Sequence, residues 1–309
     1  MTRHFILFSL LFPLLSAVEP IAPLPTEPEG VDIAKARVGR MLFLDPILSS
    51  DQKISCHSCH SLDHGGADPR DVSVGAYERK GEIQSPSIYN ARYNFRQFWN
   101  GRASDLKEQL SGPLHNPAEM DMTSELIERR LNNSTFYREQ FKEAYGIAYI
   151  TAGDVMDALV EFEKALVTPN SRFDRFLRGE KVLSAEERKG YATFKSLGCI
   201  TCHNGINIGA NTFQKMGLFR EYPYNEKYQD RSALTKNALH KNVFKVPTLR
   251  NITQSAPYFH DASAKTLEEA VTTMARYNLG ISIAPEERDL IIAFLQTLEG
   301  ERPAILDLQ

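Results

Sequence analysis

The sequences CHSCH at residues 56–60 and CITCH at residues 199–203 together contain all four cysteines of this 309-residue chain. Each has the spacing CxxCH, in which two thiols three residues apart can form thioethers with the two vinyl groups of one haem. The histidine that follows places an imidazole under the iron. The sequence therefore predicts two covalently bound haem c groups. The residues that would attach them and ligate the irons are Cys56, Cys59 and His60 in the first motif and Cys199, Cys202 and His203 in the second.

The composition is that of a soluble globular protein, with 42% hydrophobic and 24% charged residues. At about 150 residues per domain, the length predicts two compact domains. With 36 Lys and Arg against 39 Asp and Glu, the net charge of -3 lacks the basic excess that neutralises phosphates. A nucleic-acid partner is therefore not expected.

Residues 1–17 have the pattern of a secretory signal peptide. Arg3 and His4 precede an apolar run over residues 5–15, and two small residues follow as a cleavage site. Because this run is short for a membrane span and no other stretch approaches about 20 apolar residues, we expect cleavage, export to the periplasm and no stable membrane insertion. An uncleaved N-terminal anchor is the alternative. The proline-rich residues 18–30 are predicted to form an extended lead-in.

Apolar residues recur at helical rather than alternating spacing along most of the chain, for example within residues 155–166. Ser184 with Glu187, and Thr266 with Glu269, have the spacing of capping boxes at helix starts. The sequence therefore predicts a mainly α-helical protein.

The two halves of the chain are similar to each other. Residues 85–108 align without gaps on residues 246–269 at a constant offset of 161, and a helix with Gly and Phe four residues apart precedes each CxxCH motif. Because loop residues match as well as helical ones, we interpret this as a duplicated domain rather than a chance likeness of amphipathic helices. The predicted boundaries are 31–170 for the N-terminal domain and 171–309 for the C-terminal domain.

Three other uses of paired cysteines are a four-cysteine zinc site, a redox pair and two structural disulfides. Zinc would not require a histidine directly after each pair, and a thioredoxin-like site would need only one motif beside a βαβ pattern. Two CxxCH motifs in an exported helical chain favour the di-haem interpretation. His57, inside the first motif, is then expected to be solvated or to lie near a haem propionate.

The second axial ligand decides whether a haem passes electrons or binds an oxidant, because an empty position leaves the iron open to peroxide. Met274 lies downstream of the second CxxCH motif, where a distal methionine is expected. Its spacing alone also fits a core methionine, which is the commoner use of this residue.

Taken in order, these motifs resemble those of the bacterial di-haem cytochrome c peroxidases, a family that also contains the MauG-type di-haem oxidases. The likeness runs from about residue 31 to residue 298 and includes PSIYNARYNFRQFWNGRASDLKEQLSGPLHNPAEM between the motifs and VPTLRNITQSAPYFHDASAKTLEEAVTTM after the second. The resemblance implies two cytochrome c-like haem domains in tandem. It makes the N-terminal haem the peroxidatic site and the C-terminal haem the one that receives electrons.

The resemblance also implies roles for single residues. Gln109 and Glu119 match the distal-pocket pair that would hydrogen-bond peroxide and shuttle a proton between its oxygens, and Glu119 should titrate abnormally. Unaided, a surface glutamate would be the ordinary interpretation. Trp99, the only tryptophan, matches the residue between the two haems. Met274 matches the distal ligand of the C-terminal haem, where MauG-type enzymes have tyrosine, although Tyr277 lies one turn further on.

Calcium is a second cofactor that the resemblance implies. Asn90, Ser255 and Pro257 match positions that help to hold a calcium ion between the domains. They would do so through a side-chain oxygen and backbone carbonyls, which suit a hard cation. The family usually has threonine at the Ser255 position.

Ala76 departs from the family pattern. Many members have at this position a histidine that caps the N-terminal haem in the oxidised enzyme, and alanine cannot ligate iron. We therefore expect a peroxidatic iron that is five-coordinate or water-bound and needs no reductive activation. Tyr77, His64 or His115 could replace the missing ligand if the loop runs differently.

The expected function is the reduction of hydrogen peroxide to two waters in the periplasm, with single electrons from a monohaem cytochrome c or a cupredoxin. One alternative is a MauG-like oxidase that acts on a partner protein, for which the residue at position 274 is the discriminating feature. Another is a plain electron-transfer cytochrome whose two irons are both six-coordinate and do not respond to peroxide or cyanide. The family is often dimeric, so the resemblance also implies a possible homodimer.

Overall fold

The computed structural model describes residues 19–308, so the predicted signal peptide at residues 1–17 lies outside it. The described chain is mainly helical, which confirms the predicted fold class. Its α-helices are α1 (Ile33–Leu44), α2 (Leu106–His115), α3 (Ser124–Asn133), α4 (Thr135–Tyr145), α5 (Ala152–Ala165), α6 (Arg172–Leu177), α7 (Ala185–Ser196), α8 (Arg231–Thr235), α9 (Leu267–Met274) and α10 (Pro285–Leu295). A π-helical turn, Ala275–Leu279, continues α9, and two short strands, β1 (Phe213–Lys215) and β2 (Val243–Lys245), pair antiparallel. Within residues 19–308, every helix is too short or too polar to cross a bilayer.

Two helices begin at the predicted capping boxes. Ser184 accepts from the backbone N–H of Glu187 at 3.1 Å, while the Glu187 carboxylate accepts from the N–H of Ser184 at 2.8 Å. Thr266 and Glu269 form the same pair of bonds at the start of α9. These bonds satisfy N–H groups that a helix start leaves unpaired. The helices before and after the second CxxCH motif, α7 and α9, therefore begin at fixed residues.

Two apolar cores lie on either side of the predicted domain join. Most of the first lies within residues 36–166, around Phe43 and Phe162. Most of the second lies within residues 173–298, around Phe294. Each half of the chain therefore buries its own set of helices, as two tandem domains require.

Each terminal segment packs on the opposite half of the chain. In the lead-in, Ile21 is buried in the second core, and the N–H of Leu24 donates to Asp174 at 3.1 Å. At the other end, Ile305 and Leu306 are buried in the first core. The lead-in is therefore extended but tightly packed. The last few described residues pack with the N-terminal half, although the sequence assigns them to the C-terminal domain, because their apolar side chains are covered there.

A glycine in each half allows two helices to cross at close distance. A Cβ atom at Gly39 of α1 would lie 1.9 Å from the carbonyl oxygen of Ala158 in α5. A Cβ atom at Gly190 of α7 would lie 2.0 Å from the carbonyl oxygen of Leu290 in α10. Both distances are far below van der Waals contact, so only glycine permits these crossings.

The repeated segments also share unusual backbone angles. Asn90 and Asn251 both have positive φ, 61° and 56°, and Phe98 and Phe259 have φ of 65° and 72°. Positive φ is uncommon for residues other than glycine. Because it recurs at two pairs of positions separated by the same offset, the two segments form the same loop twice.

Gly39→Ala is expected to destabilise the protein by about 3 kcal/mol, because the new methyl group meets a backbone carbonyl that cannot move without separating α1 from α5. Gly153→Ala, in the first turn of α5, is the matched control, since a Cβ there meets only Thr151 Oγ1 at 3.5 Å. The control should be neutral or gain up to about 1 kcal/mol. Denaturant unfolding followed by circular dichroism measures both, and a Gly39→Ala variant as stable as the parent would contradict the prediction.

Candidate functional site

One cavity of about 760 Å³ is lined by residues from both halves of the chain. All six residues predicted to attach the haems and ligate their irons lie on its wall. The other predicted site residues on the wall are Gln109, Glu119, Trp99, Met274, Ser255 and Pro257. The structure thus brings together residues that are up to 218 positions apart, the span from Cys56 to Met274. The wall fits covalently attached haem, because it pairs two thiols with one histidine at each of two places.

Each CxxCH motif forms a tight turn that places its first cysteine and its histidine on the same side. In the first motif the N–H of His60 donates to the carbonyl of Cys56 at 3.0 Å, and the second motif closes in the same way. His57 does not lie on the cavity wall. Its Nδ1 instead accepts from the N–H of Leu62 at 3.3 Å, so it holds the turn that follows the motif.

Burial keeps both predicted proximal imidazoles neutral. It lowers the pKa of His203 to about 4, and it also lowers the pKa of His60. A neutral imidazole has the lone pair that an iron ligand must supply. The Nδ1 of His60 lies 3.3 Å from the carbonyl oxygen of Gly66, a partner that orients the ring and leaves Nε2 as the ligating atom.

The four thiols do not converge on one point. Among residues 19–308, no three side chains of His, Cys, Asp or Glu are grouped so that they could hold a metal ion. Burial raises the pKa of Cys56 to about 12 and that of Cys199 to about 11, which keeps these thiols protonated. None of the four cysteines is joined to another in a disulfide. A four-cysteine zinc site therefore does not form, and each cysteine pair stays beside its own histidine.

Gln109 and Glu119 bring two polar side chains to the cavity near the first CxxCH motif. Gln109 is carried by α2, and its Oε1 is buried without a hydrogen-bond partner. Glu119 lies in the loop after α2, where Asn116 Nδ2 donates to its Oε1 at 2.6 Å. Burial raises the pKa of Glu119, against the opposing effects of Asn116 and Arg102. An amide oxygen without a partner and a buried carboxyl with a raised pKa can both hydrogen-bond a small polar ligand.

The loop that contains Ala76 is fixed against the loop that contains Glu119. The N–H of Ala76 donates to the carbonyl of Glu119 at 2.7 Å, and a Cβ atom at Gly75 would lie 2.2 Å from the carbonyl oxygen of Ala118. Ala76 is fully buried, yet it does not lie on the cavity wall. The loop therefore has one packed position, in which residue 76 does not face the cavity.

The three residues considered as replacements for the missing capping histidine also lie off the cavity wall. Tyr77 is 57% exposed, and its N–H donates to Asp51 at 2.9 Å. His64 Nε2 lies 2.6 Å from the carbonyl oxygen of Ala256, and His115 Nδ1 lies 2.8 Å from that of Met122. In each of the two histidines, one ring nitrogen is therefore engaged by a backbone carbonyl, and neither ring lies at the haem site.

Met274 is the last residue of α9 and lies on the cavity wall, as does His203. It packs in a small apolar cluster with Met216 and Phe244. Tyr277 is in the same cluster but not on the wall. The side chain placed to serve as a distal ligand is therefore the thioether and not the phenol.

Trp99 belongs to the N-terminal repeat but packs among residues of the C-terminal half. Its Nε1 donates to the carbonyl of Gln84 at 2.8 Å, and its own carbonyl accepts from the N–H of Lys245 at 2.7 Å. Its ring centroid lies 6.2 Å from that of His260, which is its equivalent in the second repeat, and 6.4 Å from that of Phe244. The indole is thus fixed at the contact between the two halves.

Buried residues without a predicted role also lie on the cavity wall, among them Glu163, Lys245 and His260. Burial raises the pKa of Glu163 to about 8 and lowers the pKa of Lys245 to about 8 and that of His260 to about 4. Glu163 lies on the helical stripe of Leu159 and Leu166, and a charged residue on an apolar stripe is a signal that could have identified it. Lys245 gives no such signal, because a three-residue strand is too short to show alternation.

Asn90, one of the three residues predicted to hold calcium, is hydrogen-bonded within the protein. Its Oδ1 accepts from the N–H of Thr168 at 3.0 Å, and its Nδ2 donates to Thr168 Oγ1 at 2.8 Å. It is fully buried and does not lie on the cavity wall, whereas Ser255 and Pro257 do. The side-chain oxygen expected to bind a cation is thus used to join two segments of the protein.

Comparison with known proteins gives a consistent picture. Residues 33–182 match the family model described as di-haem cytochrome c peroxidase. The chain is 45% identical to a cytochrome c551 peroxidase of Nitrosomonas europaea over 94% of this chain and 87% of that protein. It is 38% identical to a cytochrome c551 peroxidase of Pseudomonas aeruginosa over 93% of this chain and 85% of that protein.

A solved structure with the same architecture is described as a MauG-like protein associated with microbial copper homeostasis. It superposes with a TM-score of 0.82, over 91% of this chain and 93% of that chain, at 26% sequence identity. The similarity to the two peroxidases is thus considerably higher in sequence than the similarity to this MauG-like protein.

Glu163→Gln should alter how stability depends on pH. In the folded protein the pKa of Glu163 is about 8, well above the ordinary value of about 4.3. Its stabilising contribution is therefore complete below the ordinary pKa and is lost as the pH rises toward 8. The variant should gain stability over the parent between pH 5 and 8, by up to about 1.4 kcal/mol per pH unit.

Unfolding free energies measured at several pH values test this, with Glu139→Gln in α4 as the matched control. Glu139 is exposed, so its variant should follow the parent at every pH. Parallel curves for Glu163→Gln and the parent would contradict the prediction.

Proposed function

The chain belongs to the di-haem cytochrome c peroxidase family and is a di-haem peroxidase, and from that premise we propose how it works. We propose that it reduces hydrogen peroxide to two waters with single electrons from a small soluble donor, either a monohaem cytochrome c or a cupredoxin. The observation that carries the proposal is the pair of Gln109 and Glu119 beside the first CxxCH motif. One has an unpartnered amide oxygen, and the other has a raised pKa.

When bound, the two haems supply an iron that takes up peroxide and an iron that accepts electrons from the donor. His60 and His203 would hold these irons from the proximal side, and the paired cysteines would attach the macrocycles. Met274 would close the C-terminal iron, because a thioether ligand raises the reduction potential and blocks access. The N-terminal iron would stay open, since Ala76 and the three candidate replacement ligands, Tyr77, His64 and His115, all lie off the cavity wall.

Glu119 would act as the acid and base of the reaction. The carboxyl would take a proton from one oxygen of peroxide and return it to the other. The oxygen that receives the proton then leaves as water instead of hydroxide. The bond from Asn116 Nδ2 to Glu119 Oε1, at 2.6 Å, holds the carboxyl in place while it exchanges the proton. Burial supports this role, because it brings the pKa of the carboxyl closer to neutral pH.

Gln109 would orient the peroxide. Its unpartnered Oε1 can accept a hydrogen bond from a peroxide O–H. The helix α2 fixes the backbone of Gln109, and the hydrogen bond from Asn116 Nδ2 holds the Glu119 carboxyl. Peroxide that binds between them would have one proton directed at each acceptor.

Trp99 would provide the electronic contact between the two sites. The bond from its Nε1 to the carbonyl of Gln84 fixes the ring, and the bond from the N–H of Lys245 to its own carbonyl holds its backbone against the C-terminal half. An aromatic system in this position shortens the distance over which an electron must pass without a bridging group. We therefore propose that Trp99 takes part in electron transfer and does not bind peroxide.

The MauG-like alternative is weakened by the position of Met274. A MauG-type site needs tyrosine as the distal ligand, and here the thioether lies on the wall while Tyr277 does not. The higher identity to cytochrome c551 peroxidases than to the MauG-like protein supports the same choice.

We also propose that the protein is exported, binds a calcium ion and forms a homodimer. Export to the periplasm is supported by the signal pattern in residues 1–17. A calcium ion would bind to the side-chain oxygen of Asn90 and the backbone carbonyls of Ser255 and Pro257, because oxygen ligands suit a hard cation. A homodimer is proposed from the family resemblance.

Steady-state oxidation of a ferrous monohaem cytochrome c by hydrogen peroxide tests the proposed function. The reaction is started once from fully oxidised enzyme and once from enzyme pre-reduced at one haem. We expect immediate turnover from both, because Ala76 cannot ligate iron and Tyr77, His64 and His115 lie off the cavity wall. A lag in the oxidised sample, or a low-spin bis-imidazole signal in its electron paramagnetic resonance spectrum, would refute the open site. If neither preparation turns over with a cytochrome or a cupredoxin, the peroxidase function is refuted.

Glu119→Gln should lower peroxide turnover by about 10² to 10⁴ fold, because the amide cannot carry the proton between the two oxygens. Both haems should remain attached, since Glu119 is not one of the attaching residues. The control is Glu139→Gln, which removes an exposed carboxylate of α4 and should leave turnover unchanged. Parent-like turnover in Glu119→Gln would remove this residue from the reaction.

A further inference from the structure

Lys245 is a buried cation without an anionic partner. It ends β2, its exposed fraction is 7%, and its side chain lies on the cavity wall. Among residues 19–308, no carboxylate lies within ion-pair distance of its ammonium group. Burial alone lowers its pKa to about 8. A charge removed from water in this way is costly unless an opposite charge is close to it.

The other deeply buried cation on the cavity wall has an anionic partner. Arg250 is 2% exposed, and its guanidinium pairs with the fully buried carboxylate of Asp174 at 3.0 Å. The chain thus supplies an internal anion for one buried cation and leaves the other facing an open space. The contrast indicates that the anion for Lys245 comes from a group that occupies the cavity.

The surroundings of Lys245 assign it to the C-terminal haem site. Phe244, directly before it, packs in the cluster that contains Met274. Pro247, two residues after it, is close to the turn of the second CxxCH motif, since a Cβ atom at Gly209 would lie 2.3 Å from the Pro247 oxygen and 3.3 Å from His203 Nδ1. The backbone bond from the N–H of Lys245 to the carbonyl of Trp99 fixes the residue at this place.

We propose that the Lys245 ammonium binds a propionate carboxylate of the haem attached at Cys199 and Cys202. A haem presents two carboxylates at one edge, and these are the anions that occupation of the cavity would bring. The proposal rests on the two haems of the proposed function but not on peroxide turnover. A fixed positive charge beside this haem favours its ferrous form, because reduction removes one unit of positive charge from the iron. Lys245 would therefore raise the affinity of the C-terminal site for an electron.

Removal of the charge gives the decisive test. In Lys245→Met, the equilibrium constant for reduction of the C-terminal haem should fall about tenfold, which corresponds to about 59 mV for one electron. Lys245→Arg keeps the charge and should stay within about threefold of the parent. Lys241→Met removes an exposed lysine shortly before β2 and serves as the matched control, with no expected change. The measurement is a spectroelectrochemical titration of the purified di-haem protein, followed at the absorption of each haem.

An unchanged constant in Lys245→Met would overturn the proposal, and so would an equal loss in Lys245→Arg, which would indicate a packing effect. A shift confined to the N-terminal haem would overturn the assignment to the C-terminal one. If the methionine variant does not incorporate both haems, Lys245→Gln replaces it with the same loss of charge. The titration uses no peroxide, so a protein with two haems and no turnover would refute the peroxidase function and still give this result.

Discussion

The hydroxyl of Thr168 joins the two halves of the duplicated chain. Its Oγ1 accepts from Asn90 Nδ2 at 2.8 Å and from Asn251 Nδ2 at 2.7 Å, and these two asparagines are equivalent positions of the repeat. Asn90 Oδ1 accepts from the backbone N–H of Thr168, and Asn251 Oδ1 accepts from that of Gly300. Because an unpaired amide at this buried point would be costly, the two loops have one favourable arrangement, and the cavity lies where they face each other.

Duplication gives two similar frameworks, and a few substitutions make their chemistry different. Met274 corresponds, at the offset of 161, to Pro113, which also lies on the cavity wall but has no atom that could ligate iron. Gln109 corresponds in turn to Ala270, which has no polar side chain. One half therefore presents a thioether where the other presents proline, and an amide where the other presents a methyl group. The equivalent helices of the two repeats thus present different side chains to the cavity.

Much of this organisation could be predicted from sequence, because it depends on local rules. The CxxCH spacing, the capping residues and the helical period each act within a few residues, and the offset of 161 linked the two halves. Contacts between distant segments could not be predicted in this way. The sequence does not show, for example, that Thr168 hydrogen-bonds both polar atoms of the Asn90 amide. Similarly, the packing of Ile21 and Ile305 on opposite halves follows from which surfaces remain uncovered after folding.

The polar groups of the interior separate into two kinds, and the difference marks the functional space. Groups that support the fold are paired within the protein, as Arg250 is with Asp174. Two groups on the cavity wall differ from these: within the described part of the chain, the amide oxygen of Gln109 has no hydrogen-bond partner, and the ammonium of Lys245 has no carboxylate within ion-pair distance. Unpaired groups of this kind reduce the stability of the protein without its ligands. They are retained where a bound partner satisfies them, so the unpaired positions indicate the chemistry of the partners: a small hydrogen-bonding molecule beside Gln109 and an anion beside Lys245.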